Sequence, residues 1–202
     1  MTKDFIYLAS ASPRRRELLE QIGVPFRVLA ATVPEQRLSG EAPRDFVTRV
    51  AAAKAEAIWR RVEPEQPAPV LAADTAVVVD DEVFGKPADE TAALGMLVRL
   101  SGRSHRVLTA IALHAQEHRL VELAESEVRF RPTTAAERLA YCRTREPYDK
   151  AGGYAIQGLG AVFVEHLAGS YSAVMGLPVF ETAAMLARLG LPAWLGGVGA
   201  MS

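Results

Sequence analysis

Three consecutive arginines, Arg14 to Arg16, follow Ser12 and Pro13 at the predicted start of a helix. Ser12 is a favoured N-cap residue, and Pro13 suits the first helical position. Cations in a first turn face the positive end of the helix dipole, so this placement is unfavourable by itself. A bound anion removes the conflict, because free N–H groups and arginines together bind phosphate. Ser12, Arg14 and Arg15 are therefore candidate contacts for a polyphosphate, with a solvated basic face as an equally weighted alternative.

A second candidate is Asp74, which lies within the apolar run of residues 70–79. A carboxylate in an apolar strand is costly unless it is paired, hydrogen-bonded or bound to a metal. Perturbed acids cluster at functional sites, so a functional role is favoured over structural capping. Lys86 lies in a Gly-Lys-Pro turn that holds its backbone rigidly. Lys54 alone is weak evidence for a functional site, because a lysine exposed on an alanine-rich helix needs no explanation.

Residues 148–160 form the densest unusual segment, with the sequence Y-D-K-A-G-G-Y-A-I-Q-G-L-G. Its four glycines within nine residues predict tight turns and close approach of the backbone to a neighbour. The chain contains neither a complete dinucleotide fingerprint nor a G-x-x-x-x-G-K-S/T loop. His114 and His118 have the spacing of a metal pair on a helix. At the end of a strand, residues four apart do not bring their side chains to one metal ion, so we expect both to be surface histidines.

Composition excludes several classes of protein. The chain has 202 residues, of which 50% are hydrophobic and 23% are charged, so it has enough apolar material for a sizeable core. The net charge of -1 provides no global field for nucleic acid or an anionic membrane, so neither is an expected partner. The single cysteine, Cys142, rules out an intrachain disulfide and suits a reducing compartment. With no visible targeting segment, we expect a cytoplasmic protein whose residues 190–202 form a tail.

Alternating apolar patterns predict an α/β fold with a mixed sheet. Strands are predicted at residues 5–9, 26–30, 70–79, 105–115, 121–130 and 161–167. Helices are predicted at residues 13–22, 43–61, 89–100, 135–144 and 178–189. Two successive strands in the middle of the chain indicate that the sheet is not purely parallel.

Several motifs in one order resemble the Maf family of nucleoside triphosphate pyrophosphatases over residues 8–189. They are S-A-S-P-R-R-R-E-L-L, A-A-A-K-A, A-A-D-T-A-V, G-K-P-A-D, L-S-G-R-S-H-R-V-L-T, Y-D-K-A-G-G-Y-A-I-Q-G-L-G-A and G-S-Y-S-A-V-M-G-L-P. The resemblance implies a single Maf-like domain over residues 1–202. Its fold would be elongated, two-lobed and similar to that of ITPases, with a mixed twisted sheet, flanking helices and a central cleft.

The resemblance also implies the reaction, which is hydrolysis of a nucleoside triphosphate to the monophosphate and pyrophosphate with a divalent cation, Mg²⁺ or Mn²⁺. Asp74 matches the family's proton acceptor, and Lys54 and Lys86 match lysines that contact phosphate. Glu35 matches an acidic residue that helps to hold the metal, together with Asp74. The chain departs from the family here, because the second acid often found near Glu35 is missing.

Arg14, Thr75 and Gln157 match positions that determine specificity in the family. The segment around Gln157 resembles the branch that acts on dTTP and UTP, and an amide can accept from uracil N3–H while donating to O4. Two alternatives stay open: the branch that acts on 7-methyl-GTP, and a nucleotide-binding regulator of septum formation and cell division. The oligomeric state is also open, with a homodimer as one option.

Overall fold

The computed structural model describes residues 5–191 and 193, which form two compact units. The first unit contains the described parts of residues 1–74, 109–124 and 176–202. The second unit contains Thr75–Leu108 and Glu125–Met175. None of the helices in the described ranges is long and apolar enough to span a membrane.

Strands and helices alternate along the described chain as the sequence predicts. The strands are β1 (Ile6–Leu8), β2 (Phe26–Val28), β3 (Val70–Val79), β4 (Glu82–Phe84), β5 (Ser104–Ala115), β6 (His118–Phe130) and β7 (Val164–Ala168). The helices are α1 (Pro13–Gln21), α2 (Pro43–Val62), α3 (Glu90–Leu100), α4 (Ala135–Arg143), α5 (Tyr171–Met175) and α6 (Val179–Arg188). Short 3₁₀ helices follow α4 at Glu146–Asp149, Ala151–Gly153 and Leu159–Phe163.

The described strands form one mixed sheet, which confirms the predicted α/β class. Its order is β2-β1-β3-β5-β6-β7, with β4 paired to β3. β1 runs parallel to β2 and to the start of β3, where Tyr7 lies opposite Val70. The pairs β3–β4 and β6–β7 are antiparallel.

In the first unit, α2 buries one stripe of side chains that recurs every three to four residues. Val47, Val50, Ala51 and Ile58 belong to this stripe and are at most 1% exposed. Lys54 lies on the same stripe and is therefore buried as well, although it is charged. The periodicity of the helix thus carries an ammonium group into the interior of the unit.

In the second unit, the core is built around aromatic rings. The Phe130 ring centroid lies 4.7 Å from that of Tyr154 and 5.9 Å from that of Phe163. Tyr141 packs edge-on against Phe163 at 5.2 Å. Leu97 joins these rings in the same buried cluster.

Some local predictions are wrong. The predicted strand at 161–167 begins only at Val164, because the preceding residues belong to the 3₁₀ helix Leu159–Phe163. Strand β4 and helix α5 have no counterpart among the predicted elements. Residue 192 and residues 194–202, which make up most of the predicted tail, lie outside the described residues.

His114 also differs from its prediction, because it is buried rather than on the surface. Only 3% of it is exposed, its ring stacks on Trp59 at 4.8 Å between centroids, and Nδ1 lies 3.0 Å from Glu56 Oε2. Strand β5 continues to Ala115 and keeps this side chain inside the first unit. His118 is exposed, as predicted.

Candidate active site

A lysine joins two carboxylates in the first unit. Lys54 Nζ, from α2, lies 2.8 Å from Asp74 Oδ1, in β3, and 2.7 Å from Glu35 Oε1. Asp74 is 8% exposed, whereas the Glu35 side chain is 56% exposed. The structure thus brings together three residues that are widely separated in the sequence.

The surroundings of Asp74 change its acidity. Burial raises the pKa of Asp74, while Lys54 and Arg15 oppose the rise and Glu35 adds to it. The net result is a pKa above the ordinary value of the carboxyl group. A raised pKa moves a carboxylate toward the range in which a general base works best near neutral pH.

The start of α1 supplies cations to the same unit. Arg15 donates from Nε to the Gly176 carbonyl at 2.7 Å and from Nη1 to Ser10 Oγ at 3.0 Å. Burial lowers the pKa of Arg15 to about 10, with Asp74 opposing and Arg14 adding to this effect, so the guanidinium stays charged at neutral pH. Ser12 occupies the N-cap position, as predicted, but its side chain makes no capping hydrogen bond.

The second unit holds Lys86 in an exposed loop, and Gly152 bonds to the backbone of that loop. The Gly152 N–H donates to the Gly85 carbonyl at 3.0 Å. Gly152 has φ +72°, and a Cβ there would lie 2.7 Å from Val77 Cγ2. Only glycine fits this position without displacing Val77, which explains one of the glycines in the segment. Thr75 lies in β3, next to Asp74 in sequence, and is half-buried.

Gln157 lies on a tight turn of the second unit. The Gly158 N–H donates to the Ala155 carbonyl at 3.3 Å and closes the turn. Gln157 is exposed, whereas its neighbour Ile156 is buried. The turn therefore presents the Gln157 amide to solvent. Joint action of Thr75, Lys86 and Gln157 with the Asp74 cluster on one substrate remains a prediction.

Comparison with known proteins bears directly on these motifs. The model of the Maf-like protein family matches residues 5–189. The chain belongs to the Maf family. It is 50% identical over 191 residues to the dTTP/UTP pyrophosphatase of Saccharophagus degradans, covering 94% of this chain and 90% of that relative. It is 51% identical over 193 residues to the dTTP/UTP pyrophosphatase of Bordetella avium, covering 92% and 96%.

A further relative is the dTTP/UTP pyrophosphatase of Burkholderia thailandensis, which is 51% identical over 192 residues and covers 90% of this Maf chain and 91% of its own length. A solved structure of the Staphylococcus aureus Ham1 protein shares 15% sequence identity. It covers 62% of this chain and 71% of its own, with a TM-score of 0.43, which is too low for comparing the two folds.

The possible metal ligands of this Maf chain are few. Within the described ranges, no group of three or more histidine, cysteine or acidic side chains suits a metal ion. Asp74 and Glu35 both lie against the Lys54 ammonium, so their oxygens already surround one positive charge. Carboxylate oxygens suit Mg²⁺, which needs only one or two of them when phosphates and water complete its shell. The donor set therefore fits a weakly held, substrate-dependent cation.

Sequence reasoning missed several residues that support the predicted ones. Ser10 and Gly176 hold Arg15, and Tyr141 and Glu146 hold the turn around Gln157. The glycines of the Q-G-L-G stretch were a usable signal for the second pair, because closely approached backbone lacks side chains.

Proposed function

We propose that this Maf protein hydrolyses dTTP and UTP to the nucleoside monophosphate and pyrophosphate, as a nucleotide diphosphatase. The observation that best supports hydrolysis is Asp74, a buried carboxylate with a raised pKa beside the Lys54 ammonium. The substrate assignment rests on the three relatives, each named dTTP/UTP pyrophosphatase and each about half identical to this chain.

Asp74 acts as the general base in this proposal. It accepts a proton from a water molecule whose oxygen forms a bond to the α-phosphorus. The bond from that phosphorus to the oxygen bridging to the β-phosphorus breaks, and pyrophosphate leaves with the electron pair. Lys54, 2.8 Å from Asp74, orients the carboxylate and keeps its pKa from rising further.

Cations neutralise the charge that develops on the phosphates. Arg14 and Arg15 lie in the first turn of α1, where free N–H groups also favour an anion, and Ser12 begins that turn. Lys54 and Lys86 contribute point charges. Fixed cations stabilise the transition state without having to reorganise during the reaction.

Asp74 and Glu35 would hold a divalent cation, Mg²⁺ or Mn²⁺, together with the substrate phosphates. When bound, such a cation supplies charge neutralisation and polarises the phosphoryl oxygens. Lys54 is then the residue that keeps the two carboxylates close to each other when no substrate is present.

Base selection is assigned to the second unit. The Gln157 amide accepts from uracil or thymine N3–H and donates to O4, with Thr75 as a second polar contact. A fixed amide facing cytosine leaves polar groups unpaired, which costs ~1–3 kcal/mol each.

The proposal also includes a cytoplasmic location for the protein. Cell fractionation tests this location.

The experiment is a turnover screen of UTP, dTTP, CTP and 7-methyl-GTP with Mg²⁺ in ¹⁸O-labelled water. We expect UMP and pyrophosphate from UTP, with the label in UMP, and a preference for UTP over CTP of ~10-fold or more. Stepwise appearance of UDP and orthophosphate contradicts the reaction. A kcat/KM for 7-methyl-GTP above that for UTP contradicts the substrate assignment.

A further inference from the structure

The turn that presents Gln157 is held on both sides by one pair of side chains from outside the segment. Before the turn, the Ala155 N–H donates to the Tyr141 hydroxyl at 3.1 Å. After the turn, the N–H groups of Leu159 and Gly160 each donate to the Glu146 carboxylate at 3.0 Å. Tyr141 in turn donates to Glu146 Oε1 at 2.8 Å, so the two anchoring groups also bind each other.

Two glycines make this close approach possible. A Cβ at Gly158 would overlap Glu146 Oε2, and a Cβ at Gly160 would lie 2.7 Å from the Tyr141 hydroxyl. Neither glycine has a positive φ, so close packing rather than backbone conformation requires them. The Q-G-L-G sequence is therefore matched to a carboxylate and a phenol that contact its backbone.

The charge states of the pair suit this role. Burial alone would raise the pKa of Glu146, but the hydrogen bonds from Gly160, Leu159 and Tyr141 outweigh it, and the net pKa is lowered. Burial and the contact with Glu146 raise the pKa of Tyr141. At neutral pH the carboxylate is therefore an acceptor and the phenol a donor, as the contacts require.

The position of the Gln157 turn is important because the two ends of an amide, one an acceptor and the other a donor, have nearly the same shape. Rotated by half a turn, the Gln157 side chain would satisfy cytosine as well as it satisfies uracil, since the oxygen and nitrogen exchange places. The partners of the amide set which end faces the base, and a turn held in place keeps the amide against those partners. Three backbone N–H groups around Gln157 donate to Tyr141 and Glu146.

We propose that Glu146 and Tyr141 are positioning residues for base selection: they fix the Gln157 turn and thereby make the enzyme prefer UTP over CTP. This inference rests on the proposed function, because it assigns base recognition to Gln157. Neither residue has a role in the proposed chemical steps, so their loss should change the ranking of substrates more than the rate of the chemistry.

The test compares the ratio of kcat/KM for UTP and CTP in three variants. Glu146→Gln keeps the size of the side chain but turns an N–H donor toward a backbone N–H donor. Tyr141→Phe removes the hydroxyl and keeps the ring against Phe163. Gly158→Ala keeps the Glu146 carboxylate, but the added Cβ overlaps it and forces it away from the turn. Glu165→Gln, on β7 and paired with Arg129, is the matched control.

We expect the UTP/CTP ratio to fall from ~10-fold toward unity in all three variants and to stay unchanged in the control. Amide hydrogen exchange at Leu159 and Gly160 should accelerate in Glu146→Gln. A folded Glu146→Gln enzyme that loses activity equally with both nucleotides, or that keeps the wild-type ratio, overturns the inference. If Glu146→Gln does not fold, an unchanged UTP/CTP ratio in Tyr141→Phe and Gly158→Ala also overturns the inference. A wild-type protein that does not turn over UTP contradicts the proposed function instead, so the two failures are distinguishable.

Discussion

Replacing Lys54 with methionine removes the ammonium that joins Asp74 and Glu35 while keeping a side chain of similar length. Asp74 is 8% exposed and 2.8 Å from this ammonium, so the variant leaves an ionised carboxylate buried without its nearest cation. Breaking a buried pair in this way costs ~3–5 kcal/mol. We expect the lower end, ~3 kcal/mol at neutral pH, because Arg15 still attracts the carboxylate. Loss of the contact between Lys54 and Glu35 adds little to this change in the free energy of unfolding, because the Glu35 side chain is exposed.

The loss should depend on pH, and its sign follows from the raised pKa of Asp74. A carboxyl group with a raised pKa binds its proton more tightly in the folded protein than in the unfolded chain. The stability that this proton provides is fully present below the ordinary value of 3.8 and is lost as the pH rises through the folded pKa. Removing Lys54 raises the folded pKa further, so the variant should be nearly as stable as wild type in acid and much less stable at neutral pH.

Urea unfolding measured from about pH 4 to about pH 8 tests this directly. Lys86→Met, an exposed lysine in the second unit, is the matched control and should lose little stability at any pH. A loss of stability in Lys54→Met that is the same at both ends of the range refutes the reasoning. A loss below ~1 kcal/mol at neutral pH would likewise show that Lys54 and Asp74 interact as a surface pair does.

Three further outcomes are expected. Lys86→Ala should lower kcat/KM for UTP by one to two decades, because a hydrogen bond to a charged group is worth ~1.5–3 kcal/mol. The melting temperature should not change, and normal kinetics would show that Lys86 does not contact a phosphate. Gly152→Ala should destabilise the protein by ~1–3 kcal/mol in urea unfolding through overlap with Val77, whereas Gly95→Ala, in open space on α3, should not; equal melting temperatures would contradict this. Gln157→Glu should reduce kcat/KM for UTP by ~10-fold, because a carboxylate cannot donate to O4, and undiminished UTP turnover would argue against base contact.

Patterns of neighbouring residues predicted much of the fold. The apolar run of β3 identified that strand to the residue, and the charge inside it identified Asp74 as unusual. The pair Asp80 and Asp81, with φ of +51° and +61°, forms the two-residue turn into β4. That turn was a readable signal, because aspartate tolerates the left-handed conformation that such hairpins require.

Contacts between distant residues were not predictable in this way. A lysine on a helix is usually exposed, and only the packing of α2 shows that the stripe carrying Lys54 faces inward. The apolar side chains that suggested a strand from residue 161 include Val162, which is 63% exposed on a 3₁₀ helix. Glu146 resembles any surface acid in sequence, since its partners at Leu159 and Gly160 lie 13 and 14 residues away.

The most direct test of the central claim is the turnover number of Asp74→Asn with UTP and Mg²⁺. The substitution keeps the shape of the side chain and removes the base, so kcat should fall by at least ~10²-fold while circular dichroism stays that of the wild type. Asp45→Asn, an exposed residue in the first turn of α2, is the control and should keep wild-type turnover. A folded Asp74→Asn enzyme that releases pyrophosphate at close to the wild-type rate would show that another group activates the water and would contradict the account.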